Sequence, residues 1–335
     1  MSCRPSTPDR RRAAAFLLAA TLLTAGCAHT ATGRSSTTTI PLVAPSSLEI
    51  VALADRTAMT DEGRRLFYSA RPEVLPKATF AQSCTIREEA SVLGCFHQGP
   101  TDPTPRISLL QITDPHLSGM EEVTAAHEML HDVWQHTSDA ERRSLTTQLT
   151  AALAAVTDRR IIDKVATYRR QDPSVVPNEL HSILGTEVAV LPAALERHYA
   201  RWFTDRTAVT GLATTSQKVF ADIDAQVKLL DAQLIDLRRQ IDATGADLAA
   251  RNTAIETRRL QIRALDASGD VAAHNAAVPG FNAQVNAYNA EVTRQQRLVD
   301  QHNAIVTRRN ALASQYDEIE ATIDTTGLAP AAGSA

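Results

Sequence analysis

The chain has 335 residues, of which 44% are hydrophobic and 21% charged, with 13 Gly and 15 Pro. These proportions exclude a collagen-like or wholly disordered protein. A net charge of −4 lacks the basic excess of a general nucleic-acid binder, so no nucleic acid is expected among its partners.

At the N-terminus, Arg10, Arg11 and Arg12 precede an apolar run from Ala13 to Leu23. That run is shorter than the ~20 residues of a membrane span and suits the apolar stretch of an export signal. Thr24-Ala25-Gly26-Cys27 follows directly. Small residues before a cysteine resemble the bacterial lipobox, with Thr24 where that motif usually has Leu. The resemblance implies a signal peptide over residues 1–26, a lipid on Cys27, and an exported protein anchored on the extracytoplasmic face of a membrane. Residues 27–47, rich in Thr, Ser and Ala, predict a flexible tether. With Cys3 removed and Cys27 lipidated, Cys84 and Cys95 remain. In an oxidising compartment they predict a disulfide worth ~3 kcal/mol in the chain-entropy model. Their spacing suits metal ligation poorly.

Residues 48–212 read as one domain, α+β and mostly helical. Asp61 to Ser69 predicts a short helix. Ser91 to His97 and Ile107 to Ile112 are β-prone runs on either side of Gly99-Pro100-Thr101-Asp102-Pro103-Thr104-Pro105, and predict an antiparallel β-hairpin. Ile107 to Ile112 is either an edge strand to which an extended peptide could add, or a buried strand. Everything after Ser118 reads as helical. From Met120 to Gln135, Val123, Ala126, Leu130 and Val133 form a stripe of helical period. Ser138 with Glu141 is a capping box opening a helix to about Val156. Pro177-Asn178 starts another, and Pro192 ends it or begins a third that carries Trp202 and Phe203.

From about Ala213 the pattern changes. Phe220, Val227, Leu234, Ile241, Leu248, Ile255 and Ile262 recur every seventh residue, with Ile223, Leu230, Leu237, Thr244, Arg251, Arg258 and Leu265 three residues after each. Ser268-Gly269-Asp270 breaks the series. A second one has Val278, Val285, Val292, Val299 and Val306, with Asn275, Asn282, Asn289 and Asn303 three residues ahead of all but Val299, and Asn310 seven residues beyond Asn303. The pattern predicts an antiparallel coiled-coil hairpin over residues 213–324, each arm ~75 Å long. Its Asn side chains are expected in the seam, setting Ile255 near Asn282 and Leu234 near Asn303. Pro279 either starts the second arm or kinks it. Residues 325–335 read as a disordered tail.

The chemistry is concentrated in His127-Glu128-Met129-Leu130-His131. On a helix the two imidazoles lie one turn apart on one face and can share a Zn²⁺, with Glu128 placed to move a proton. A third protein ligand is needed. The glycine of the longer metzincin motif is absent, since Trp134 stands in its place. Downstream, Pro177-Asn178-Glu179-Leu180-His181-Ser182-Ile183-Leu184-Gly185-Thr186-Glu187 opens a helix. Together these segments resemble the gluzincin peptidases, over about Cys84 to Phe203. That family takes its third ligand from a Glu near the start of a later helix, with small residues facing the zinc helix. The resemblance implies Glu179 as that ligand, with Glu187 second and His181 third; Ile183 stands where the family has Asp. His198 and Tyr199 are candidate oxyanion donors or core residues, Asp132 a partner for a histidine or an exposed acid, and Trp134 core.

The functional expectation is a membrane-anchored zinc metallopeptidase with one Zn²⁺, held by His127, His131 and Glu179, and with Glu128 as general base. Its partners would be a peptide or protein substrate, the membrane through the N-terminal lipid, and a further copy or envelope component through the hairpin. The alternative is a non-catalytic envelope lipoprotein in which the coiled coil is a scaffold or binding module.

Overall fold

Side-chain caps set most of the helix starts in the first half of the chain. Ser47 accepts from the Ile50 amide at 3.2 Å to open α1 (Leu48–Arg56), and Thr60 accepts from Gly63 to open α2 (Asp61–Ser69). Strand β1 (Glu73–Leu75), helix α3 (Lys77–Ser83) and strands β2 (Gly94–His97) and β3 (Arg106–Leu110) follow. The structure is a computed structural model and describes residues 42–84, 91–98 and 104–326. The export signal, Cys27, most of the tether and the tail beyond Thr326 lie outside the described residues. Among the described residues, no helix is long and apolar enough to cross a membrane.

β2 and β3 pair antiparallel, with Cys95 opposite Ser108, as the two β-prone runs predict. Glu73–Leu75 adds a third strand parallel to β3, in the order β1-β3-β2. The expected hairpin is thus a mixed sheet, and β3 is its buried central strand, with no edge for a peptide to join. β1 escaped the sequence reading because its three residues lie between Pro72 and Pro76, too short for a period to register. The Cys84–Cys95 disulfide is present and ties the end of α3 to β2.

After a 3₁₀ turn, Gly119 takes a φ of +94° to open α4 (Met120–His136). A side chain there would be strained, and its Cβ would lie 3.1 Å from Leu212. α4 is buried along nearly its whole length between strands β2 and β3, α1, α2 and a later helix, α7. Ser138 caps α5 (Asp139–Leu153), as its spacing with Glu141 predicts, and Asp158 caps α6 (Arg159–Gln171). α7 (Val176–Glu187) has Pro177 in its first turn. α8 (Ala193–Tyr199) begins after Pro192 but stops short of Trp202 and Phe203. Phe203 instead makes an isolated β-bridge with Met59. The Arg206 guanidinium gathers the end of α7, donating to the Val188 and Ala189 carbonyls at 2.6 and 3.0 Å and pairing with Glu196.

Two long helices complete the chain, α9 (Arg206–Ala267) and α10 (Val271–Ile323). The molecule divides into a unit of Met1–Val219 with Ile319–Ala335 and a second of Phe220–Glu318. In the first unit, the end of the chain returns to the sheet region: Lys77 donates to the Ala321 carbonyl, and the Val92 amide donates to Thr325 at 2.8 Å. Thr325 and Thr326, expected in a disordered tail, are therefore folded.

The second unit is the helical hairpin. Gly269 turns the chain at φ +73°, and Asp270 accepts from the Ala273 amide to start α10. Phe220 meets Tyr316 with ring centroids 5.3 Å apart, and Arg309 bonds Asp231 at 2.9 Å, where a turn at Ser268-Gly269 places them. Of the two places open to Pro279, it takes the one inside α10 and does not start the helix. One expectation changes. Asn275, Asn282, Asn289, Asn303 and Asn310 are all exposed. The partly buried partners of Val278, Val285, Val299 and Val306 lie four residues before each, at His274, Phe281, Gln295 and His302. Seam positions alternate by three and four, so counting three back from each Val lands on the flank.

Candidate metal centre

On α4, one helical turn carries His127 and His131 to the same side, and their rings meet edge to face at 4.8 Å. Both are buried, and neither Nε2 has a hydrogen-bond partner among the described residues. α7 crosses α4 so that Glu179, in its first turn, faces both rings. Its Oε2 lies 3.7 Å from His127 Nε2 and its Oε1 3.6 Å from His131 Nε2. Ligands of a tetrahedral zinc at ~2.1 Å stand ~3.4 Å from one another, so three donor atoms at these separations suit one small cation. Glu128 is fully buried, and one of its oxygens groups with the two imidazoles within 4.8 Å.

Close packing sets this geometry. Gly94 on β2 lies where a Cβ would be 2.7 Å from Glu128 Oε1 and 2.6 Å from Thr124, so only glycine lets the strand pass this close to the carboxylate. Gly185 on α7 would place a Cβ 2.6 Å from both Leu130 and the Tyr199 ring, so its bare backbone allows the close crossing of α4 and α7. The small residues at Gly185-Thr186 carried that signal in the sequence.

The outer contacts differ from expectation. His131 Nδ1 bonds Asn178 Oδ1 at 3.0 Å and lies 3.3 Å from Ser182 Oγ. As donor to Asn178, Nδ1 carries the proton, which leaves the Nε2 lone pair facing Glu179. Asn178 precedes Glu179 and Ser182 follows it by three, so the two residues that contact His131 flank that acid on α7. Asp132 instead pairs with His136, with 3.2 Å between Oδ1 and Nδ1. Burial raises the Asp132 pKa, while burial and the nearby His131, Lys164 and His181 push His127 well down. Burial also lowers His131 to about 4, against the pull of Asn178. The imidazoles are thus neutral at pH 7, the form that binds metal.

The other candidates lie elsewhere. Glu187 pairs with Arg160 and, at 3.2 Å, with Lys164. Burial alone would raise its pKa, but the two cations hold it at about 2. His181 Nε2 lies 2.8 Å from His198 Nε2, and the Tyr199 hydroxyl donates to the His181 carbonyl at 2.7 Å. His198 and Tyr199 are accordingly committed to α7, and Trp134 packs in the core against His181. A cavity of about 40 Å³ adjoins His127, walled by residues including Lys164, Glu187, Ser216 and Gln217. The sequence reading did not single out Asn178 or Ser182 as partners of His131, nor Lys164, whose place on α6 shows no motif.

Comparison of the chain with protein-family models, curated proteins and solved structures finds no match.

Proposed function

We propose that the protein is a zinc-dependent peptidase of gluzincin type with a zincin-like catalytic domain, anchored to a membrane through a lipid on Cys27. The observation that carries this reading is the Glu179 carboxylate standing 3.6 and 3.7 Å from the two imidazole Nε2 atoms, all three residues buried. Two neutral imidazoles and one carboxylate form a donor set suited to zinc. Zinc held there supplies Lewis acidity toward a carbonyl oxygen and toward water. His127, His131 and Glu179 hold the ion, and Asn178 fixes the His131 ring. Glu128, beside the imidazoles, takes the proton from the attacking water and returns it to the leaving amine nitrogen. Gly94 keeps β2 against that carboxylate, so the base is held from the sheet side. The hairpin is a spacer or docking arm.

The test is Glu128→Gln in the full chain. Zinc content stays at one ion per chain while hydrolysis of a mixed peptide substrate is lost; retained hydrolysis removes the mechanism, and a wild-type chain that takes up no zinc removes the whole reading.

A second reading is favoured by the cavity. At ~10–15 Å³ per water it has room for about three waters, less than a peptide needs. On that reading the ion is structural and the protein is a coiled-coil scaffold or binding module of the envelope. A wild-type chain that holds zinc yet cleaves nothing in a diverse peptide library supports it.

A further inference from the structure

Lys164 is buried with 4% of its side chain exposed, on α6 and away from every motif in the sequence. A buried ammonium is costly to desolvate and is retained where anionic oxygen meets it. Its partner among the described residues is Glu187, at 3.2 Å, which takes one of its three donors. Glu187 already has a second cation in Arg160, and Arg160 also pairs with Asp158 at 3.2 Å. Neutralising Glu187 therefore does not require Lys164. What distinguishes Lys164 is its position: it lines the same small cavity as His127, with Gln217 among the other lining residues.

We propose that this cavity is an anion subsite in which Lys164 receives a negatively charged oxygen of the substrate. The inference rests on the peptidase reading for its substrate and on Lys164 itself for its chemistry. The cavity, about 40 Å³, has room for about three water-sized groups, which suits a carboxylate or a single oxyanion. Glu187 lines the cavity too, but Arg160 shares its charge, and a divalent cation at the imidazoles would add positive charge beside Lys164. With His198 and Tyr199 turned to α7, Lys164 is the ammonium that lines the cavity beside His127. The oxygen has two sources, a free C-terminal carboxylate or the carbonyl oxygen that gains charge when water adds.

Calorimetric titration of acetate and of inorganic phosphate into the full chain, zinc-loaded and metal-free, tests the subsite. Lys164→Met weakens anion affinity ~10–100-fold, the range for a charged hydrogen bond, while Lys164→Arg retains most of it. Unchanged affinity in Lys164→Met overturns the proposal. If Lys164→Met fails to fold, the paired change Lys164→Met with Glu187→Gln removes both charges together and is read in the same way. Matched peptides with free and amidated C-termini separate the sources. A rise in KM confined to the free acids identifies the carboxylate, and an equal fall in kcat for both identifies the oxyanion. Lys164-dependent phosphate binding in a chain that cleaves no peptide retains the subsite and removes the peptidase reading. Hydrolysis with anion affinity indifferent to Lys164 does the reverse.

Discussion

Glu179 and Glu187 lie eight residues apart on one helix, both buried, and their surroundings give them different work. Glu179 faces two neutral imidazoles, whereas Glu187 is held between Arg160 and Lys164. Glu179→Gln is expected to lower zinc affinity by at least ~100-fold, while Glu187→Gln leaves it within about threefold and destabilises the fold by ~3 kcal/mol through the buried Lys164 ammonium it strands. Equilibrium dialysis and denaturant unfolding of the two variants check the contrast; equal losses of zinc would remove the distinction. Asn178→Ala, which frees the His131 ring, is expected to weaken zinc by ~10–100-fold in the same dialysis. His198 gives a pH dependence. Burial, with help from Arg201, lowers its pKa to about 4 from an ordinary 6.5. Between those values the unfolded chain binds the proton that the folded one refuses, so stability is full above pH 6.5 and falls as pH drops toward 4. His198→Gln removes the His198 share of that slope, to which the other buried imidazoles also contribute, in the profile of thermal midpoint against pH. An unchanged slope refutes the assignment.

At the level of elements, the crossing of α4 and α7 and the pass of β2 over α4 form the site. Each depends on a missing Cβ, at Gly185 and Gly94. Gly185→Ala pushes on Leu130 and Tyr199 and is expected to cost ~1–3 kcal/mol. It also parts the helices that carry the donors, so zinc affinity falls along with stability. Gly94→Ala meets the Glu128 carboxylate itself, so activity falls further than zinc content does. Assay of both quantities in each variant separates the two effects, and a Gly94→Ala protein with full activity would show that β2 has room to yield. The strands show what a period can reveal. β2 and β3 were legible because apolar runs flank a turn-rich segment. β1 was not, since three residues between prolines have no period and gain their place only from the open edge of β3.

At the scale of the molecule, the proposed metal ligands belong to the first unit and the hairpin to the second. Binding stabilises only the unit that holds the ligand, by ~2.7 kcal/mol at a hundredfold excess over Kd. Added zinc is therefore expected to raise the unfolding temperature of the first unit and leave the helical transition of the hairpin unchanged. Calorimetry of the full chain with and without zinc follows both; a hairpin transition that moves with zinc would show the units to be energetically coupled.

The sequence by itself determined what depends on local spacing. It placed the helices from Asp61 to Ser69 and from Met120 onward, the Ser138 cap, the turn at Ser268-Gly269, and the two histidines on one helical face. It brought Cys84 and Cys95 together by elimination. Tertiary structure decided which acid faces the imidazoles, that β3 is central, which side of α10 makes the seam, and that Lys164 and His127 share a cavity. The reason is physical. Helical period and capping act over a few residues of one segment, so one segment reveals them. A donor set or a seam is fixed by how separate elements approach, and that depends on packing volumes such as the missing Cβ of Gly94, which no spacing encodes.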